Sequence, residues 1–513
     1  MDLTNPKDNN TNLIKYKMTI FKFNYKRLLS SVLALAIISC SNPWDDREDN
    51  GDSNLTVTLD KAISNTEAVS QFGELLTQTG YDTILAASKT YTVFVPTNEA
   101  MAQVGGAILN DPEALKQFVA NHIALTAYSS IRSSDVRIKM LSNKYLDFEG
   151  STLIDDATIV TADHYAKNGV YHIINKALTP KLNIWQYVNA QAGSSATSDY
   201  LLSLKDFSIY ASDVDAKALS AEKGAGYQSD SLTNSYLKNV YNLNNEKNSY
   251  TFFMMKDAGY TTEVNKMKPY TIKVTNNETD STAIYAKYFT LRDLAFPKKY
   301  KRDQLPATLT SKFGVQVPID KTKIVEEIHL SNGIVYVMDQ VDVPAANRLL
   351  TVTIQGEKNM GYFNGGRNAI YYRDKKEPLG GLFPAGTLYN DVIVQNPGTA
   401  MFYLNYDAKD LFSTTYKVYW RAINDFQTNA VSQKLTMWGE YSITNNVVSV
   451  SDLIIDFPYK SVTSNVYTEV YIGEFTLTKL RNIDLISLIA ANTTTNGNNS
   501  LTLDYLKFVP VVK

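Results

Sequence analysis

Residues 91–101 read YTVFVPTNEAM: a strand, Tyr91-Thr92-Val93-Phe94-Val95, that runs straight into the start of a helix. Pro96 suits a strand end or a first helical turn. Thr97 or Asn98 can cap the helix, and Glu99 favours its positive end. A second stretch, residues 250–260 (YTFFMMKDAGY), repeats the Tyr-Thr-aromatic strand without the proline. Another pair follows the same plan. Residues 168–180 (NGVYHIINKALTP) align with residues 332–344 (NGIVYVMDQVDVP), each opening on Asn-Gly, a turn signal ahead of a strand. Tyr91 and Tyr250 lie 159 residues apart, and Asn168 and Asn332 lie 164 apart. Two blocks displaced by nearly the same amount indicate tandem units.

YTVFVPTNEAM and NGVYHIINKAL resemble the two signature segments of fasciclin-like domains. The helical stretch 113–124, with Asn121-His122, resembles that family's central segment. The first copy covers about residues 55–180. The second, 181–345, is divergent: Met255 replaces Pro96, Tyr336 replaces His172, and residues 216–247 read as a polar insertion. The resemblance implies an α+β wedge, a role in adhesion or partner binding, and no chemistry in the fold.

Beyond about Thr351 the pattern changes to short strand-like runs such as TAMFYLNY (399–406), TYKVYWRAI (415–423) and KLTMWGEYSI (434–443). Gly, Asn, Pro and Asp separate them, which is the pattern of an antiparallel sandwich. The closing LTLDYLKFVPV resembles the last strand of jelly-roll modules on bacterial surface proteins, some of which bind carbohydrate. The expected chain is therefore multidomain: two α+β fasciclin-like domains, then an all-β, jelly-roll-like sandwich over 350–513.

The N-terminus reads as an address. Lys22, Lys26 and Arg27 precede an apolar run, residues 28–38 (LLSSVLALAII). That run is too short to span a bilayer, which needs about 20 residues, and has the length of a signal-peptide core. Ile37-Ile38-Ser39-Cys40 resembles the lipobox of bacterial lipoproteins, so residues 1–39 are expected to be removed and Cys40 lipidated. Met18 is a plausible true start. Several acyl chains, at about 0.8 kcal/mol per buried methylene, anchor a protein to a membrane. Residues 40–54 are an acidic tether, with Asp45, Asp46, Glu48, Asp49 and Asp52. It resembles the export tag of Bacteroidetes surface lipoproteins, which implies the outer membrane and a surface-exposed position.

Composition narrows the function. The chain has 513 residues, 44% hydrophobic and 20% charged, with a formal net charge of -2. It carries no overall electrostatic pull toward nucleic acid. One cysteine excludes an intrachain disulfide. The four histidines, His122, His164, His172 and His329, show no zinc-type spacing, and His122 and His172 read as packed structural residues. No Gly-x-Ser-x-Gly elbow or phosphate loop occurs. No catalytic residue, cofactor or metal site is expected. The binding-like feature is aromatic: Tyr403, Tyr406, Tyr416, Tyr419, Trp420, Trp438 and Tyr441, with Trp420, Trp438 and Tyr419 the preferred ligand contacts.

The expected function is that of a non-catalytic surface lipoprotein. It would bind a polysaccharide, or a glycan or protein on a host or neighbouring cell, as an accessory to nutrient capture. One alternative is a structural subunit of a TonB-dependent outer-membrane transporter complex. Another is a glycan-active enzyme.

Overall fold

The computed structural model describes residues 53–513, apart from 88–89, 132–135, 225, 275–279 and 445–446. Residues 1–39, Met18, Cys40 and the acidic tether as far as Asp52 lie outside the described residues. Among the described residues, no helix is long and apolar enough to cross a membrane. The chain divides into two compact units, the first running to Thr179 except for Asn143–Tyr145, which group with the second, Pro180–Lys513.

The first unit holds a seven-stranded sheet. Its strands are β1 (Tyr91–Pro96), β2 (Ile123–Ala124), β3 (Val136–Lys139), β4 (Tyr145–Glu149), β5 (Leu153–Ile154), β6 (Ala157–Ala166) and β7 (Gly169–Ile174), in the order β2-β1-β7-β6-β5-β4-β3. All six residues of β1 and of β7 are buried, as expected for strands paired in parallel inside a sheet. Thr97 Oγ1 accepts from the Ala100 amide at 3.2 Å and caps the helix Asn98–Met101. Asp111 caps Pro112–Ala120, with proline at its first position. Helices bring Phe72, Leu76, Leu115 and Phe118 onto Val93 and Val95.

In the second unit, β8 (Tyr250–Met255), β9 (Ala295–Phe296), β10 (Thr308–Thr310), β11 (Gln316–Pro318), β12 (Ile324–Leu330) and β13 (Gly333–Met338) follow in chain order. Four of them form a sheet in the order β12-β13-β8-β9. Its central wiring repeats that of the first unit's β2-β1-β7-β6. β1 runs parallel to β7 with Tyr91 opposite Gly169, and β8 runs parallel to β13 with Tyr250 opposite Gly333. The Asn168 side chain accepts from the Leu59 amide at 2.9 Å, and Asn332 accepts from the Ile184 amide at 2.8 Å. Each thus ties the first helix of its segment to the start of its last strand. Thr92 Oγ1 accepts from the Tyr128 amide at 2.8 Å, and Thr251 Oγ1 accepts from the Tyr300 amide at 2.9 Å. Phe94 stacks on His172 at 5.3 Å, and Phe253 stacks on Tyr336 at 5.6 Å.

One expectation changes. Residues 216–247 are not merely a polar insertion. They include the helices Asp230–Thr233 and Ser235–Asn239, and Tyr236, Leu237, Val240 and Leu243 enter the core of this segment. The polar letters between those positions hide an apolar face one or two helical turns long.

The rest of the second unit is a sandwich of β14 (Val352–Gln355), β15 (Gly361–Phe363), β16 (Ile370–Lys376), β17 (Leu388–Val394), β18 (Tyr403–Leu411), β19 (Thr415–Arg421), β20 (Val431–Thr444), β21 (Val447–Asp456), β22 (Lys460–Val462), β23 (Val470–Thr476), β24 (Arg481–Ala490), β25 (Leu501–Leu503) and β26 (Tyr505–Pro510). One sheet has the order β14-β26-β19-β23, a second β15-β18-β24-β20-β21 with β22 on β20, and a third β16-β17-β25. These pairings are antiparallel. Tyr406, Tyr416, Trp420, Leu435, Met437, Ile486, Leu488 and Phe508 form the core between them.

This sandwich is stitched to the α/β part of its own unit. The Ser413 amide donates to Tyr270 O at 2.8 Å, and the Leu480 amide donates to Ile272 O at 2.6 Å. Phe412 meets Phe289 edge-on at 5.0 Å. The amide of the last residue, Lys513, donates to the Tyr270 hydroxyl at 2.8 Å.

Candidate functional site

Strand alternation decides which side chains a sandwich offers to a ligand. On β18, Leu404, Tyr406 and Ala408 face the core, and Tyr403 and Asn405 face outward, half-buried. On β20, Leu435 and Met437 face the core, and a bulge between Met437 and Trp438 precedes Trp438 on the outer side. The outer face of β15-β18-β24-β20-β21 therefore carries a trough of about 350 Å³, lined by Tyr362, Phe363, Tyr403, Asn405, Trp438, Tyr441, Val450, Leu485 and Ser487. That volume lies at the small end of the range for ligand clefts.

The floor of the trough is polar at one point. Asn405 and Ser487 sit opposite each other on β18 and β24. Ser487 Oγ donates to Asn405 Oδ1 at 2.9 Å, which orients the amide and leaves its NH2 to donate outward. Aromatic rings stand on either side. Phe363, 58% exposed on the edge strand, meets Tyr403 edge-on at 5.8 Å. Trp438 and Tyr441 stand on the β20 side. No lining residue is an acid, a lysine, an arginine or a histidine.

Of the three sequence candidates, the structure brings only Trp438 to this site. Trp420 is 1% exposed and belongs to the sandwich core, so it cannot stack on a ligand. It shares the inward parity of Tyr416 and Val418 on β19. Tyr419 is half-buried on the other sheet, packed at 5.4 Å from Tyr471 and beneath the Lys507 ammonium. Tyr406 and Tyr416 are core residues. Tyr403 and Tyr441 join Trp438. Tyr362, Phe363, Asn405 and Ser487 were not singled out from sequence. Tyr362-Phe363 ahead of Asn364-Gly365-Gly366 is an aromatic pair on a short edge strand, and that was the available signal.

Two slightly larger hollows offer no stacking surface. One, of about 420 Å³, contains Lys217, whose ammonium already donates to Leu204 O, Phe207 O and Ser235 Oγ. The other, of about 390 Å³, is lined by Lys273, Glu440, Lys479, Arg481 and Asp484, charges of both signs.

The buried histidines are packed. The His122 Nδ1–H donates to Phe118 O at 2.8 Å, and Nε2 accepts from the Leu178 amide at 2.9 Å. Burial pushes its pKa down to about 4, so the ring is neutral near pH 7. The His172 Nε2–H donates to Tyr128 O at 2.8 Å, and Nδ1 accepts from the Asp163 amide at 3.2 Å. Burial lowers its pKa too. Both nitrogens of each ring are occupied, so neither ring has a lone pair or proton free for chemistry.

Known proteins resemble parts of this chain. Among solved structures, a FAS1 domain pair from the insect cell adhesion molecule Fasciclin I aligns with 55% of this chain and 98% of its own, at 16% identity and a TM-score of 0.22. A family 35 carbohydrate binding module from Clostridium thermocellum aligns with 32% of this chain and 99% of its own, at 16% identity and a TM-score of 0.19. Among curated proteins, Protein sll1483 of Synechocystis sp. is 25% identical over 107 residues, 19% of this chain and 59% of that protein. Transforming growth factor-beta-induced protein ig-h3 of Oryctolagus cuniculus is 27% identical over 137 residues, 25% of this chain and 20% of that protein. The chain thus spans less than two thirds of the length of these curated relatives. The sequence profile of the Fasciclin domain matches residues 67–180, and that segment is a fasciclin domain.

Proposed function

We propose that this protein is a non-catalytic, lipid-anchored surface protein whose C-terminal sandwich captures glycan in the trough around Trp438. The observation that carries the reading is the arrangement of Phe363, Tyr403, Trp438 and Tyr441 about the Asn405 amide. Sugar rings present flat C–H faces that stack on aromatic rings, and hydroxyls that take a positioned amide donor. Residues 181–345 act in this reading as a second, divergent fasciclin-like domain. Its support is the duplicated wiring of Asn168 and Asn332, Thr92 and Thr251, and Phe94 and Phe253. The fasciclin parts would hold the sandwich away from the outer membrane, beside a nutrient importer or facing another cell. Tethering raises the local concentration of the binding module at that surface.

Affinity electrophoresis of the mature chain against a polysaccharide panel tests the reading. At least one polymer is expected to retard it, and Trp438→Ala is expected to weaken that binding by about 2 kcal/mol or roughly 30-fold. No retardation by any polymer would turn the reading toward protein partners. The anchor is tested separately. Cys40→Ala is expected to shift the protein from the detergent-rich to the aqueous phase in detergent phase partitioning, since acylation supplies the attachment. Unchanged partitioning would refute the lipid anchor.

A further inference from the structure

We infer, building on the glycan-binding reading, that the trough takes a run of several sugars of a neutral glycan, and neither a single sugar nor an acidic polymer. The first half rests on span. Phe363 lies on β15 and Trp438 on β20, with β18 and β24 between them. At a strand spacing of about 4.8 Å, three steps separate the two strands by roughly 14 Å, and the register places Trp438 further along the strand direction as well. A ligand touching both is longer than one sugar ring. Asn405 and Ser487 sit between these rings, so the central sugar of such a run is the one whose hydroxyl meets the amide.

The second half rests on charge. The lining offers aromatic rings, three of them tyrosines with hydroxyls, the Trp438 indole, aliphatic side chains, one amide and one serine hydroxyl, and no cationic side chain. A uronate or sulfate laid there would lose water without gaining a counter-charge, a penalty that a neutral sugar avoids. With no carboxylate in the lining, a bridging divalent cation would find no charged protein ligand there either. Binding by stacking and neutral hydrogen bonds is also insensitive to salt, whereas capture of a polyanion is not.

The test uses the mature full-length chain and three sets of probes: soluble xylan, mixed-linkage glucan and glucomannan as neutral polymers; polygalacturonate and chondroitin sulfate as acidic ones; and glucose, xylose and mannose. At least one neutral polymer is expected to bind, with an affinity that changes less than about twofold between low and high NaCl. Oligosaccharides cut from that polymer are expected to compete, and single sugars at the same molar concentration are not. Phe363→Ala, an edge-strand change at an exposed ring, is expected to weaken polymer binding by about fivefold with an unchanged melting temperature. Trp438-dependent binding of an acidic polymer with no neutral one bound would overturn the neutral assignment and leave the glycan-binding reading standing. Competition by single sugars as strong as by oligosaccharides would overturn the extended ligand. Neutral-polymer binding untouched by both Phe363→Ala and Trp438→Ala would remove it from the trough. Failure of every polymer to bind would overturn the glycan-binding reading itself.

Discussion

Replacing Arg421 with methionine is expected to cost the sandwich about 3–5 kcal/mol, the usual loss when one member of a buried ion pair is removed. Arg421 ends β19 and is fully buried. Its guanidinium donates to Asp504 Oδ2 and to Glu377 Oε2, both at 2.5 Å, and its Nε–H donates to Tyr467 O at 2.9 Å. The ring of Tyr389 lies 4.6 Å from it. Methionine has a similar volume, so the loss is one of charge: two carboxylates, both nearly inaccessible, are left without their cation. The loop between β16 and β17 depends on the same group. Glu377 Oε1 accepts from the Phe383 amide at 3.2 Å, and its backbone exchanges bonds with Thr387 and Gly386. Urea denaturation followed by tryptophan fluorescence provides the measurement, since Trp420 is the neighbouring core residue. Neutralising the carboxylates as well, in Arg421→Met with Glu377→Gln and Asp504→Asn, is expected to restore about half of the loss or more. A single variant as stable as the parent would show that the charge cluster contributes nothing.

The two Asn-Gly turns are expected to tolerate no side chain. A Cβ at Gly169 would stand 2.2 Å from Tyr91 O and 2.6 Å from Leu59 Cδ1. At Gly333 it would stand 2.0 Å from Tyr250 O, on a backbone with φ +151°. In both places the obstacle is the carbonyl of the partner strand, which cannot move without breaking the parallel pairing of β1 with β7 or of β8 with β13. Gly169→Ala and Gly333→Ala are each expected to cost about 3 kcal/mol, at the upper end for overpacking. Gly105→Ala, with nothing within 4 Å of its Cβ, is expected to change stability by no more than about 0.5 kcal/mol. Chemical denaturation of the three variants makes the comparison, and equal stability of all three would refute the close-approach account.

The repeated strand and turn were legible in the sequence because they are written in local signals. A Tyr-Thr-aromatic strand and an Asn-Gly turn are short patterns, and both survive the divergence of the second segment. The partner that replaces His172 was legible as a letter, Tyr336, but its meaning needed the fold: both rings stack on the phenylalanine of the neighbouring strand. The trough was half legible. Period-2 alternation on β19 groups Trp420 with Tyr416 and Val418, which already argues for the core. On β20, Leu435 and Met437 point inward, so Trp438 points out. What alternation could not supply is which outward faces meet. Phe363, Tyr403, Trp438 and Ser487 come from four strands spread over more than a hundred residues, and only the sheet order β15-β18-β24-β20 makes them neighbours. His122 and His172 read in sequence as packed structural residues, and in the structure both nitrogens of each ring carry a hydrogen bond.

The stitching of Phe412, Ser413, Leu480 and Lys513 onto Tyr270, Ile272 and Phe289 has a mechanical consequence. A polymer held in the trough, as proposed, would load β18 and β24, and the ends of those strands adjoin the residues that grip the α/β segment. Such a force would pass into a braced frame instead of slackening at a swivel.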